Sequence, residues 1–175
     1  RNNYKNLIII DKKKLKILDQ KKTEKFLKKT RPDFVIIAAA KVGGILANKN
    51  EKGNFLYENI MIQNNLIHSS HLAGVKKLIF LGSSCIYPKK TKQPIKESFF
   101  MTGPLENTND AYAIAKIAGV KMCMEYSKQY KLNYKTLMPA NMFGANDNYD
   151  LNSSHFFPAL IRKIHNAKIK KKKFI

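Results

Sequence analysis

The chain has 175 residues and 44% apolar side chains, enough for one domain with a core and too apolar for a disordered segment. No apolar run reaches the length of a membrane span and no signal-peptide pattern opens the chain; its two cysteines, Cys85 and Cys123, make no disulfide framework, so a reducing cytoplasm is expected. The formal charge of +21 comes from scattered lysines beside many Asn and Ile, which reads as compositional bias on solvated faces, and neither a nucleic acid nor a membrane is expected as partner.

Residues 7–10 are a short apolar strand, followed by Asp11-Lys12-Lys13-Lys14. Residues 23–30 read as a helix stopped ahead of Arg31-Pro32. The apolar run 34–39 has the composition of a strand buried on both faces. Ala38-Ala39-Ala40 and Gly43-Gly44 then remove side-chain bulk where backbone can approach a ligand closely, although a plain turn has the same composition. Residues 54–73 space Phe55, Ile60, Leu66 and Ile67 as a long helix, ended by Gly74. Residues 77–81 are the next strand, with Gly82-Ser83-Ser84-Cys85 at its carboxyl end.

Residues 86–108 are long and polar and contain Pro88, Pro94 and Pro104, a kind of connection that is usually functional. Residues 110–130 read as a helix with Ala115, Ala118, Met122 and Tyr126 on one side and Ile114, Ile117, Val120 and Met124 on a second. A strand at 134–138 ends at Pro139, a polar loop covers 148–154, and a helix at 156–167 carries Phe157, Leu160, Ile161 and Ile164 on one side. The lysine-rich residues 168–173 are expected to be solvated. The strand and helix spacing is that of an α/β fold with a doubly wound parallel sheet, in which ligands bind beyond the carboxyl ends of the strands.

Two stretches carry chemistry. In Tyr112-Ala113-Ile114-Ala115-Lys116, a phenol and an ammonium lie one helical turn apart on one face. Thr108-Asn109-Asp110 reads as the helix start, which places Tyr112 in the first turn. A neighbouring cation favours the phenolate, so the phenol pKa is expected to fall toward neutrality and Tyr112 to exchange protons there. Such a pair alone is common on helix surfaces; the serine pair at a strand end about thirty residues earlier raises its weight.

Ser83, Tyr112 and Lys116 resemble the Ser…Tyr-x-x-x-Lys triad of the extended short-chain dehydrogenase/reductases. Ala38-Ala39-Ala40-Lys41-Val42-Gly43-Gly44, Phe80-Leu81-Gly82-Ser83-Ser84-Cys85-Ile86-Tyr87-Pro88 and Tyr112-Ala113-Ile114-Ala115-Lys116-Ile117-Ala118-Gly119 are similar, more narrowly, to the GDP-L-fucose synthase family. The resemblance implies NADPH-dependent 3,5-epimerisation and 4-reduction of GDP-4-keto-6-deoxy-D-mannose. It implies catalytic roles for Ser83, Tyr112 and Lys116 in reduction, and for Cys85 and His155 in epimerisation. It places the cofactor against Lys12, Leu81, Gly82, Ser83, Ser84, Lys116, Pro139, Ala140, Asn141, Met142 and His155, and the substrate diphosphate against Lys163. No metal is expected. The family also implies a homodimer through the helices at 54–73 and 110–130, and part of the positive field then helps attract an anionic cofactor and nucleotide sugar.

The adjacency of Asp11 and Lys12 leaves NAD against NADP undecided from residues alone; the resemblance favours NADP. No Gly-rich turn precedes Leu7, so a fragment is expected: residues 1–150 as a partial NADP-binding Rossmann domain and 151–175 as the start of a substrate-binding region. Asn107, Ala111 and Ala145 stand where the family usually has proline, which bears on loop stiffness and rate. Two other readings stay open: another nucleotide-sugar reductase or epimerase of the same superfamily, and an inactive remnant or basic binding module. Cys85 separates the first, since a simple 4-epimerase needs no thiol there.

Overall fold

The computed structural model describes residues 5–11, 14–151 and 153–171. Helix α1 (Gln20–Thr30) starts earlier than the apolar spacing alone indicates, because Asp19 caps it: its carboxylate accepts from the Lys22 amide at 3.0 Å. It ends at Arg31 in the left-handed region, φ 44°, ahead of Pro32. Strand β1 (Phe34–Ile37), a short helix α2 (Ile45–Asn50) and the long α3 (Lys52–Leu72) follow. Gly74, at φ +79°, then turns the chain into β2 (Lys77–Leu81). After a long connection come α4 (Asp110–Tyr130), β3 (Asn133–Leu137) and α5 (Phe156–Ile169).

The three strands make one parallel sheet in the order β1-β2-β3, with Phe34 opposite Lys77 and Lys77 opposite Asn133. Such pairs need crossovers, and α3 and α4 supply them. The two helices lie against each other, and α1 packs on α3. Between helices and sheet sits a core of Ile37, Ile67, Leu78, Phe80, Ile86, Val120, Cys123, Leu132 and Tyr134. Each such side chain is worth about 1.5–3 kcal/mol of burial. Tyr134 is admitted because its hydroxyl donates to the Val75 carbonyl at 3.0 Å.

Two expectations are corrected. Residues 7–10 form no strand: Leu7, Ile8 and Ile9 are exposed, Ile9 by 86%, since no described strand pairs with them. The strand at 34–39 is shorter and not buried on both faces; among the described residues β1 pairs along one edge only, and Ile36 is 61% exposed. Gly43 and Gly44 also leave room for the chain's own packing. A Cβ at Gly43 would lie 3.2 Å from Cζ of Phe55, and one at Gly44 would lie 2.9 Å from the Ser154 carbonyl oxygen. On α4, Ala113, Lys116, Gly119, Val120 and Cys123 face inward, while Ile114, Ala118 and Met124, drawn from both apolar sides, are exposed.

Candidate active site

The site grows from the carboxyl end of β2. The Gly82 amide donates to the Leu137 carbonyl at 2.7 Å, prolonging the ladder to β3 by one bond. A Cβ at Gly82 would stand 2.8 Å from Sδ of Met138, so a larger residue would push the two strand ends apart. Ser83 is extended, and its Oγ accepts from the Cys85 amide at 3.5 Å, opening the turn Ser84–Ile86. Ile86, fully buried, anchors that turn in the core.

Helix α4 brings its groups to the same place. Lys52 of α3 pairs with Asp110 at 2.8 Å and donates to the Asn107 carbonyl, fixing where α4 starts. Asp110 Oδ1 also accepts from the Ala111 amide at 2.8 Å, satisfying a donor of the first turn. Tyr112 follows in that turn. One turn further, Lys116 is 4% exposed; its Nζ donates to the Leu81 carbonyl at 2.8 Å and lies 4.7 Å from the Phe80 ring centroid and 5.7 Å from that of Tyr112. The ammonium is therefore tied to the last carbonyl of β2, beside Ser83 and Cys85.

The electrostatics bind these groups into one cluster. Burial lowers Lys116 to about 8, with the Cys85 charge partly opposing. Burial raises the Cys85 thiol, opposed by its hydrogen bond with Ser83 and by the Lys116 charge. Burial also raises the Tyr112 phenol, and the Cys85 charge adds to that rise. This overturns the expectation of a lowered phenol. Desolvation dominates, and the Lys116 ammonium, bonded to the Leu81 carbonyl and 5.7 Å from the Tyr112 ring centroid, does not reverse it. Tyr112 is thus a proton donor in its resting form. Cys123, fully buried and pushed up to about 12, is an inert core thiol.

The other expected site residues fall in two groups. Leu81, Gly82, Ser83 and Ser84 end β2, and Pro139, Ala140, Asn141 and Met142 follow the neighbouring β3, whose Leu137 lies opposite Leu81. These two stretches are side by side, and Met142 is 74% exposed at the rim. His155 and Lys163 are not in contact with the cluster among the described residues. His155 is the exposed N-cap residue of α5, and Lys163 is exposed on that helix. The loop before His155 is nevertheless held: Ser153 donates its amide and hydroxyl to Asp150, each at 2.9 Å, and its carbonyl accepts from the Gly44 amide at 3.3 Å. Lys12 lies outside the described residues. Reading by motif missed Lys52, which positions the start of α4, and Gln63 and Asn59, two buried amides one turn apart on α3. Polar residues recurring at helical spacing inside an apolar helix were the available signal.

The arrangement offers a half-buried phenol, a hydroxyl, a thiol and a cation around one strand end, with Gly82 letting the ends of β2 and β3 lie close. These are the groups needed to hold a flat ring with a ribose and to protonate a carbonyl oxygen beside it.

The chain matches the NAD dependent epimerase/dehydratase family over residues 1–174. It is 56% identical over 164 residues to a GDP-L-fucose synthase of Sinorhizobium fredii, covering 94% of this chain and 52% of that protein. It is 48% identical to the GDP-L-fucose synthase of Escherichia coli, covering 92% of this chain and 50% of that one. Among solved structures, a GDP-mannoheptose C4 reductase from Campylobacter jejuni with NADP bound superposes with a TM-score of 0.87 at 41% identity, over 95% of this chain and 49% of that one. A GDP-L-fucose synthetase from Naegleria fowleri bound to NADP gives 0.85 at 30%, over 96% and 55%. The chain spans about half the length of the curated relatives it matches. A parallel sheet with helical crossovers, a Ser-Tyr-Lys cluster at a strand end and a match along nearly all of its residues place this chain in the NAD dependent epimerase/dehydratase family.

Proposed function

We propose that this chain carries the catalytic half of an NADPH-dependent enzyme that epimerises GDP-4-keto-6-deoxy-D-mannose at C3 and C5 and reduces it at C4, giving GDP-L-fucose. The supporting observation is the convergence of Ser83, Cys85, Tyr112 and Lys116 on the carboxyl end of β2. The similarity to relatives named GDP-L-fucose synthase and to structures holding NADP supports substrate and cofactor.

Reduced nicotinamide, when bound, supplies the hydride that adds to C4. Leu81 to Ser84 and Pro139 to Met142 are the residues that would hold the nicotinamide. Lys116, with donors beyond the one given to Leu81, holds the adjoining ribose. As the C4 carbonyl gains negative charge, Tyr112 gives its proton to that oxygen and Ser83 Oγ donates a hydrogen bond to it. The raised phenol keeps this proton in place until the alkoxide, a stronger base, takes it. For epimerisation, the keto group acidifies C3–H and C5–H. Cys85 and His155 act as an acid/base pair, removing a proton from one face and returning one to the other, with no net change in atoms or charge. Lys163 meets the diphosphate.

The exposed Tyr57, Leu72, Ile114, Met124 and Tyr130 on α3 and α4 support a homodimer through these helices, and the working thiol of Cys85 supports a reducing cytoplasm. A second reading, C4 reduction without epimerisation, is favoured by the similarity to the heptose C4 reductase. Incubating the whole protein with NADPH and the keto sugar, and assigning the product by proton NMR, separates the two. GDP-L-fucose is the expected product; GDP-6-deoxy-D-talose or GDP-D-rhamnose, with unchanged C3 and C5, establishes the second reading, and no consumption of NADPH refutes both.

A further inference from the structure

We propose that Gln63 is a positioning residue for Lys116, acting from α3 through the main chain of α4 and made possible by Gly119. Gln63 is 2% exposed, and its Nε2 donates to the Ala115 carbonyl, the peptide oxygen immediately ahead of Lys116. That oxygen also belongs to the α4 ladder, so the amide of Gln63 is a second donor laid across the helix from its neighbour. Room for it exists because residue 119 has no side chain. A Cβ there would stand 2.8 Å from Oε1 of Gln63 and 2.6 Å from Cζ of Phe80. Gly119 therefore lets three elements meet at one point: α3 through Gln63, β2 through Phe80 and α4 through its own backbone.

The consequence lies one turn up the helix. Phe80 is the ring over which the Lys116 ammonium rests, and Leu81, the next residue, supplies the carbonyl that Lys116 bonds. Gln63 and Gly119 thus set how deeply α4 sits on β2 and so where the cation stands relative to Ser83, Cys85 and Tyr112. The bond is not needed to build the helix, since the Ala115 carbonyl keeps its intrahelical donor when Gln63 is replaced.

This inference rests on the proposed reading of the site for its catalytic meaning, but its test does not require turnover. Cys85 is partly exposed while Cys123 is fully buried, so a small alkylating reagent such as iodoacetamide reports on Cys85. The Lys116 charge favours the Cys85 thiolate, so the pH profile of alkylation reads the position of that charge. In the whole protein, Lys116→Met is expected to move the profile to higher pH and marks full loss of the cation. Gln63→Met, which keeps the volume and removes the donor, is expected to move it in the same direction, slowing alkylation near neutrality by about three-fold. Gly119→Ala is expected to do likewise by lifting α4 off Phe80. A Gln63→Met profile that superimposes on the wild type overturns the proposal, even if the melting temperature falls, because the residue is then only packing. Failure of both variants to fold overturns it too, since the role would lie in folding. Failure of the wild type to consume NADPH with the keto sugar counts against the proposed function and leaves the thiol profile to decide this point.

Discussion

The part of the site on β2 and α4 and the part that follows β3 are built in different ways. In the first, the functional side chains stand on regular elements whose backbone bonds are made within the domain, and Lys116 is sealed against a strand carbonyl and a core ring. In the second, Met142 and Phe143 lie open, His155 caps a helix whose Phe157, Ile161 and Ile164 face solvent, and Lys163 is exposed. Its order comes from a polar knot around Asp150 and one bond to Gly44. A group whose pKa must be shifted needs burial, and only the first part provides it. A group that must meet ligands of varied shape is better carried on a loop placed by a rigid frame, as the second part is.

Substitutions sharpen this contrast. Tyr112→Phe removes the proton donor proposed for the reduction step and is expected to cut the rate of NADPH consumption by about 10²–10⁴-fold with little change in stability; the measurement is turnover beside a thermal melt. Phe80→Ala hollows the frame itself and is expected to cost about 3–5 kcal/mol, read by denaturant unfolding. A loss under about 1 kcal/mol would show that the core does not hold the first part in place.

Lys116→Met tests burial directly. The folded chain holds Lys116 at about 8, below its ordinary 10.5. Between those values the unfolded chain binds a proton the folded one lacks, so this group makes stability rise with pH through that window; below about 8 its full penalty is felt. The variant is expected to be inactive yet more stable at pH 7, by on the order of 1–2 kcal/mol, with the gain shrinking toward pH 10. Unfolding at the two pH values checks it. Smaller effects are expected in the second part. His155→Ala should change stability by less than about 0.5 kcal/mol while leaving one centre of the sugar uninverted, seen by NMR. Lys163→Ala should raise the substrate KM by a few-fold, an effect that salt weakens because an exposed charge is screened.

Much of the fold was legible because it rests on local signals. The helix at 110–130 was read with its bounds intact, since Asn109-Asp110 start it and its apolar residues persist to Tyr130. The strands before Gly82 and Pro139 were found from short apolar runs closed by turn residues. The run 34–39 was misjudged because apolar composition reports a preference for burial without saying which neighbours deliver it. The Tyr-Lys spacing correctly placed the two groups beside each other, and the direction of the phenol's shift was misread. Proximity along a helix is visible in sequence; the burial of the pair and the Cys85 charge beside it are not.

By itself, the order of residues determined the α/β alternation, the strand-end Gly-Ser-Ser-Cys and the helical Tyr-x-x-x-Lys, because spacing along the chain dictates which side chains share a face. Tertiary structure alone decided that Lys116 is nearly dry and Tyr112 firmly protonated, that glycines 43 and 44 accommodate Phe55 and Ser154, and that Gln63 meets the backbone ahead of Lys116. Each of these depends on atoms brought from distant parts of the chain, and the free energy of a charge depends on all that surrounds it.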